Sequence, residues 1–198
     1  MTNIEFNIKT LKQIFFRLGT VKEKKTVLTK HKINTLPQIT KKYMSRSNVK
    51  IRVAVPEDLQ ILKEFEQEII RYERAFAKNL KQDPIVYYDL ENYIKRSDVQ
   101  ILVATSEGKP IGSGYAMIKD SEPFKTPGQF VYLGFMFVVH EQRGKGINGM
   151  IINELLKWVK EKKIVEIQLD VYAENNSALK AYQKIGFKPD LLKMRLKK

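Results

Sequence analysis

Cysteine is absent from the 198 residues, which excludes disulfide staples, thiolate-built zinc or iron–sulfur centres and a cysteine nucleophile. Histidine is nearly absent. His31 and His140 are too few and too far apart for a histidine-built centre, so no metal is expected. Long hydrophobic runs are missing too: the longest, Val131 to Val139, is about half of what a helix needs to cross a bilayer. The N-terminus shows no basic-then-apolar signal followed by a small-residue cleavage site. The expectation is a soluble, cytoplasmic protein. Acidic residues are scarce in one stretch only. Residues 1–47 hold 11 basic residues and 2 acidic ones, a surplus of +9, whereas the other 151 residues hold 25 and 20 and carry +5 of the total +14. A basic balance points to an anionic, phosphate-rich partner, and here it has two separate sources.

What is present is enough apolar material, 43% of the chain, for one buried core at this length. From Phe6 to Leu18, the residues Ile8, Leu11, Ile14, Phe15 and Leu18 recur at helical spacing with Lys9, Lys12 and Arg17 between them. This predicts a basic amphipathic helix. Residues 19–47 read as an irregular connector, so the chain divides into a basic N-terminal extension, 1–47, and a domain, 48–198. The extension is read first as a segment packed on the domain or on the mate of a homodimer. The alternative is a module that grips nucleic acid or an acidic membrane.

In the domain, periodicity predicts a strand at Lys50–Val55 and a helix with Leu59, Leu62, Phe65, Ile69, Tyr72 and Phe76 on its buried stripe. Pro56-Glu57-Asp58 opens that helix, and Asp83-Pro84 breaks the chain after it. Asp89 caps a short helix to Arg96. Strands Val99–Thr105 and Ile111–Lys119 flank a glycine-bearing turn, a hairpin signal, and Phe130–Val139 is the most apolar strand. A helix from Met150 to about Lys162, a strand at Val165–Val171, a helix at Ser177–Ile185 and one or two strands in Phe187–Leu196 complete the order. That order predicts a mixed α/β or α+β fold, one sheet with helices on both faces.

The chemistry-bearing stretch runs from Val138 to Asn148: a buried strand, the turn Arg143-Gly144-Lys145-Gly146-Ile147-Asn148, then a helix start. Such a turn leaves backbone N–H groups unpaired at the positive end of a helix, and its glycines admit a phosphate oxygen close to the backbone. Arg143 and Lys145 add charge, so the turn is expected to bind a phosphate or pyrophosphate. Gly144 to Gly149 also satisfies G-x-G-x-x-G, with Asp170 about 20 residues on, as in a dinucleotide-binding oxidoreductase. Only 28 residues follow Asp170, too few to complete such a domain, which makes this the minor alternative.

Farther on, Asn175, Ala178, Tyr182, Gly186 and Phe187 fit the pattern N-x-x-A-x-x-x-Y-x-x-x-G-F, and Arg143, Gly146 and Asn148 fit Q/R-x-x-G-x-G/A. Together the two segments resemble the GNAT superfamily of acyl-CoA-dependent N-acyltransferases, over about 150 residues that leave out the first 47. Asn148 departs from the family, which usually has Gly or Ala there, and a side chain at that position narrows a pyrophosphate site.

The resemblance implies a central mixed, mostly antiparallel sheet and an N-acetyltransferase. Acetyl-CoA would be its co-substrate, with an amine of a small molecule or protein attacking directly in a ternary complex. It implies that the fourth and fifth strands splay at a bulge, with pantetheine against the backbone of Met136, Phe137 and Val138. Arg143, Gly144, Lys145, Gly146, Ile147 and Asn148 would cradle the pyrophosphate, and Asn175 would bond the pantetheine arm. Tyr182 falls on the general-acid position. Tyr132 falls where some members carry a glutamate base, but a phenol, near pKa 10, serves as a base only if its pKa is lowered. A water relay or Glu73 is the other expectation. The acceptor pocket would form from about Tyr72 to Tyr88 and Lys188 to Arg195, with Tyr72, Phe76, Tyr87 and Tyr88 as an aromatic wall.

Overall fold

The computed structural model describes residues 48–196; the basic extension and its expected amphipathic helix fall outside the described residues. Strand β1 (Val49–Val53) leads through a 3-10 turn at Pro56–Asp58 into helix α1 (Leu59–Glu73). Proline suits that first turn because its missing N–H has no partner to lose. Asp58 secures the entry: its carboxylate accepts the Val55 N–H at 2.9 Å and is gripped by Arg52 at 2.6 and 2.7 Å. Helix α2 (Leu90–Lys95) follows, capped by the Asp89 side chain on the Asn92 N–H. Then come β2 (Val99–Ser106), β3 (Lys109–Asp120) and β4 (Gln129–Val138). Helix α3 (Ile147–Glu161), strand β5 (Ile167–Gln168) and helix α4 (Asn176–Gln183) complete the described elements.

The five strands form one sheet in the order β1-β2-β3-β4-β5. Each pairing is antiparallel except β4 with β5, which is parallel. This is the mixed, mostly antiparallel sheet that the resemblance implies. It is not the doubly wound parallel sheet that a dinucleotide fingerprint requires. Both faces are covered. On one, Leu62, Phe65 and Ile69 of α1 and Leu90 of α2 pack on Val99, Ile101, Val103, Tyr115 and Met117. On the other, Ile147, Ile151, Ile152, Leu155 and Val159 of α3 pack on Leu102, Ala104, Ala116, Val131 and Leu133.

Strand β4 changes its allegiance midway. Val131 and Leu133 face α3, whereas Phe135 and Phe137, of the same parity, face α1. The cause is a bulge. Between Tyr115↔Gly134 and Ser113↔Phe137, β4 advances three residues while β3 advances two. Phe135 takes up the extra residue at φ 58°, a left-handed conformation that an aromatic side chain rarely adopts, although it is 2% exposed. The buried Ser113 hydroxyl donates to the Phe135 carbonyl at 3.2 Å and holds the bulge in place. Gly134 is required beside it, because a Cβ there would lie 2.6 Å from the Tyr115 ring and hydroxyl. A Gly134→Ala substitution should therefore cost about 1–3 kcal/mol, read as a lower urea midpoint at unchanged m-value.

Two expectations of regular structure are corrected. The strand expected at Val165–Val171 is only Ile167–Gln168, paired as Val131↔Ile167 and Tyr132↔Gln168. The ladder with β4 ends at Tyr132↔Gln168, just before the bulge that begins at Gly134, so the residues after Gln168 have no ladder to join. Phe187–Leu196 holds no strand. Leu191, Leu192, Met194 and Leu196 are 90%, 68%, 85% and 83% exposed. Their alternation with Lys193 and Arg195 has strand periodicity, but periodicity without a neighbouring edge forms no ladder.

Candidate active site

Past Tyr132, the β4 segment Met136–Val138 and the turn that follows it lie where β4 has no β5 neighbour. No strand pairs with β4 on its β5 side after Tyr132 among the described residues. The chain passes through a short 3-10 turn, His140–Gln142, and enters α3 through Gly144 and Gly146 at φ 73° and 83°. Glycine takes that left-handed conformation without the strain a Cβ would bring. Gly146 is the helix N-cap, and the first helical bond runs from the Met150 N–H to the Gly146 carbonyl at 3.1 Å. The N–H groups of Ile147, Asn148 and Gly149 precede that ladder at the positive end of the helix. Asn148 keeps its Oδ1 buried with no hydrogen-bond partner, an amide end left for a ligand or water to satisfy. These features fit an oligophosphate.

The basic side chains of the turn are engaged with neighbouring groups. Arg143 donates from Nε to the Val138 carbonyl at 3.0 Å, and its guanidinium lies 5.6 Å from the centre of the Tyr72 ring. Lys145 Nζ donates to Gln142 Oε1 at 2.8 Å. His140 lies in the 3-10 turn, exposed. Beside the Arg143 guanidinium, the Tyr72 hydroxyl stands 3.5 Å from both Asn175 Oδ1 and Ser177 Oγ. Asn175 caps α4, its Oδ1 accepting the Ala178 N–H at 3.2 Å and the Ser177 hydroxyl at 3.0 Å. The oxygen end of Asn175 is thus committed to the helix start, which leaves its NH2 end as the one to offer a ligand.

Tyr182 projects from α4 and packs its ring against Phe187 at 6.1 Å, beside the α3 core. Burial, and then the charge of Glu73, push its phenol up to about 12. The neighbour that matters is Glu73, the last residue of α1. Burial raises its carboxyl above the ordinary carboxylate range, partly offset by the Tyr87 hydroxyl. Tyr87 is itself pushed up to about 12, by burial first and then by Glu73. Its hydroxyl is buried without a hydrogen bond of ordinary geometry. Tyr172 feels burial and the same carboxylate. The Glu73 charge is thus felt by three phenols, Tyr87 of the 84–89 loop, Tyr172 beyond β5 and Tyr182 of α4. A half-buried carboxyl beside an unpaired hydroxyl is a place where an ammonium group finds both charge and a hydrogen-bond partner.

Tyr132 does not meet the condition set for a base. Burial, then Asp170, hold its phenol well above its ordinary value. It donates to Asp170 Oδ2 at 3.2 Å, with Lys119 Nζ 4.1 Å from its ring centre. The residues expected to form one aromatic wall fall into two groups, Tyr72 and Phe76 with Tyr172, and Tyr87 and Tyr88 with Tyr115 and Phe135. Phe76 meets Tyr72 edge-on at 5.6 Å and stacks on Tyr172 at 6.0 Å. Tyr172, which the sequence reasoning passed over, had no signal beyond its place two residues after Asp170. The other expected wall, Lys188 to Arg195, forms no element.

Residues 63–187 match the acetyltransferase (GNAT) family. The chain is 24% identical over 152 residues, 73% of its length and 78% of the relative's, to the SPbeta prophage-derived uncharacterized N-acetyltransferase YokL of Bacillus subtilis (strain 168). A variant of the BH1408 protein from Bacillus halodurans has a similar structure, with TM-score 0.68 and 19% identity, covering 75% of this chain and 98% of that one. So does a predicted acetyltransferase from Clostridium acetobutylicum solved with acetyl-CoA, with TM-score 0.57 and 19% identity, covering 75% and 96%.

Proposed function

The chain belongs to the GNAT acetyltransferase family, and from that premise we propose that it moves the acetyl group of acetyl-CoA to an amine by direct attack in a ternary complex. One observation carries the reading. Past its bulge, β4 has no strand on its β5 side at Met136 to Val138, where Arg143 holds the Val138 carbonyl, and it runs directly into a glycine turn that opens on α3. A pantetheine arm needs such an edge and a pyrophosphate needs such a turn. Gly144, Gly146, Ile147 and Asn148 supply close backbone approach, and Arg143 and Lys145 supply charge once released from Val138 and Gln142. Asn175 offers its NH2 end to the arm. Backbone N–H groups of the bulge stabilise the oxyanion as the amine attacks the thioester carbon.

Glu73 accepts the proton of the acceptor ammonium, a role its burial-raised pKa favours and the raised phenol of Tyr132 does not. Tyr182 stands protonated at neutral pH and donates to the leaving sulfur. The wall of Tyr72, Phe76 and Tyr172 beside Glu73 suits a cationic amine with an apolar or aromatic flank. We assign the reaction to the cytoplasm. No helix among the described residues is long and apolar enough to cross a membrane.

The test is a screen of kanamycin, spermidine, tyramine, lysine and a short peptide with a free N-terminus, following free CoA with a thiol reagent. Acetyl-CoA should bind and raise the melting temperature, and at least one amine class should release CoA and gain 42 mass units. Absence of acetyl-CoA binding at millimolar concentration rejects the reading.

A further inference from the structure

Glu66 is 2% exposed on α1, and the reaction as described makes no use of it. Its Oε1 accepts the backbone N–H groups of Tyr87 and Tyr88, both at 2.7 Å. The next residue, Gln67, donates from Nε2 to the Ile85 carbonyl at 2.9 Å. Residues 84–89 form neither helix nor strand, so two adjacent side chains of α1 take the place of a backbone ladder along this loop. Burying a carboxylate is unfavourable unless donors take up its lone pairs. A leucine would fill the same space without that penalty. What the carboxylate adds is the fixed position of two successive peptides.

Those peptides carry the two side chains that reach both halves of the site. Tyr87 places its hydroxyl beside Glu73. Tyr88 meets the bulged Phe135 edge-on at 5.2 Å and Tyr115, the ring that excludes a side chain at Gly134, at 5.6 Å. We propose that Glu66 is a positioning residue for the acceptor side of the site, fixing Tyr87 and Tyr88 so that one loop both shields Glu73 and props the β4 bulge. The proposal rests on the reading of Glu73 as the base and is independent of which amine is acetylated.

The phenols that feel the Glu73 charge are Tyr87 and Tyr88 from the loop, Tyr172 from beyond β5 and Tyr182 from α4; Arg74 follows it on the chain. Of these, only the two loop tyrosines hang on Glu66. The experiment is amide hydrogen exchange on the full chain, with the Glu73 carboxyl titrated by carbon-13 NMR. Glu66→Leu should speed exchange at Tyr87 and Tyr88 about 100-fold and leave α3 amides within about threefold. The Glu73 titration should move down toward the ordinary carboxylate range as water reaches it. Glu66→Gln, which keeps an acceptor oxygen but not its charge, should give about a tenfold effect on exchange at the same two amides. That variant carries the test should the leucine variant not fold. Unchanged exchange at Tyr87 and Tyr88, or an unmoved Glu73 titration, overturns the proposal. If Glu73→Gln were fully active, Glu73 would fall as the base while the exchange result stood, so the two failures are separable.

Discussion

Glu73→Gln should lower kcat/KM for the acceptor amine by about 10²–10³-fold, the usual worth of a positioned base, while acetyl-CoA affinity stays within about twofold. That is about 3–4 kcal/mol of transition-state stabilisation. The substitution keeps size and hydrogen-bonding capacity at the end of α1, and the phosphate turn lies on a different element, so the loss falls on deprotonation alone. The pH profile gives the sharper check. Burial raises the Glu73 carboxyl above the ordinary value near 4.3. A base acts only when deprotonated, so wild-type activity should be lost as pH falls through that raised value. The limb then lies at higher pH than an unperturbed glutamate would give. In the glutamine variant this limb should vanish, leaving the rise that reflects the amine itself, toward about 10.4 for a lysine-like acceptor. A variant with the wild-type limb would move the base elsewhere.

Tyr182→Phe should reduce kcat about 100-fold with acetyl-CoA binding and melting temperature essentially unchanged, read by steady-state kinetics and calorimetry. The ring keeps its contact with Phe187, and only the hydroxyl is lost. The magnitude is modest for a reason. With the phenol at about 12 and a thiol near 8.5, full transfer in bulk terms is uphill by about 3.5 units, or about 5 kcal/mol. The two causes that raise Tyr182, burial and the Glu73 charge, act in the same direction on a thiolate formed beside it, which narrows the gap. The hydroxyl contributes chiefly as a hydrogen-bond donor to charge developing on sulfur. Its pKa has a second consequence. An acid is lost as pH rises through its pKa, so no alkaline limb from Tyr182 should appear below about pH 11. An alkaline limb near 9 that disappears in the phenylalanine variant would contradict this assignment.

The local structure of the candidate site was legible in the sequence where the backbone decides it. Arg143 to Asn148 and Asn175 to Phe187 sit on turns and helix starts, where spacing alone dictates which N–H groups are unpaired and which residues need a left-handed conformation. What was not legible is the grouping around Glu73. Tyr87 and Tyr172 are 85 positions apart in the chain, and no local pattern joins them to one carboxylate. Tyr132 shows the opposite case. Its position on β4 was read correctly, but its protonation is decided by Asp170 and by burial, neither of which has a sequence signature. The strands expected at Val165–Val171 and Phe187–Leu196 fared worst, because a strand is a relation between two edges and periodicity describes only one of them.

By itself the sequence determined the family, the element order to about Gln168, the glycine turn at Arg143 to Asn148 and the division of its +14 charge between the first 47 residues and the rest. Local rules suffice for those: helical and strand periodicity, caps, glycine conformations. Only the tertiary structure decided where β4 opens. Val131, Leu133, Phe135 and Phe137 alternate without a break in the sequence, yet the pair before Gly134 faces α3 and the pair after it faces α1. A period-two pattern cannot reveal an extra residue when both faces of the sheet are apolar. The bulge is fixed from outside the strand, by Tyr115 against Gly134 and Ser113 on the Phe135 carbonyl, and past it β4 has no partner on its β5 side among the described residues.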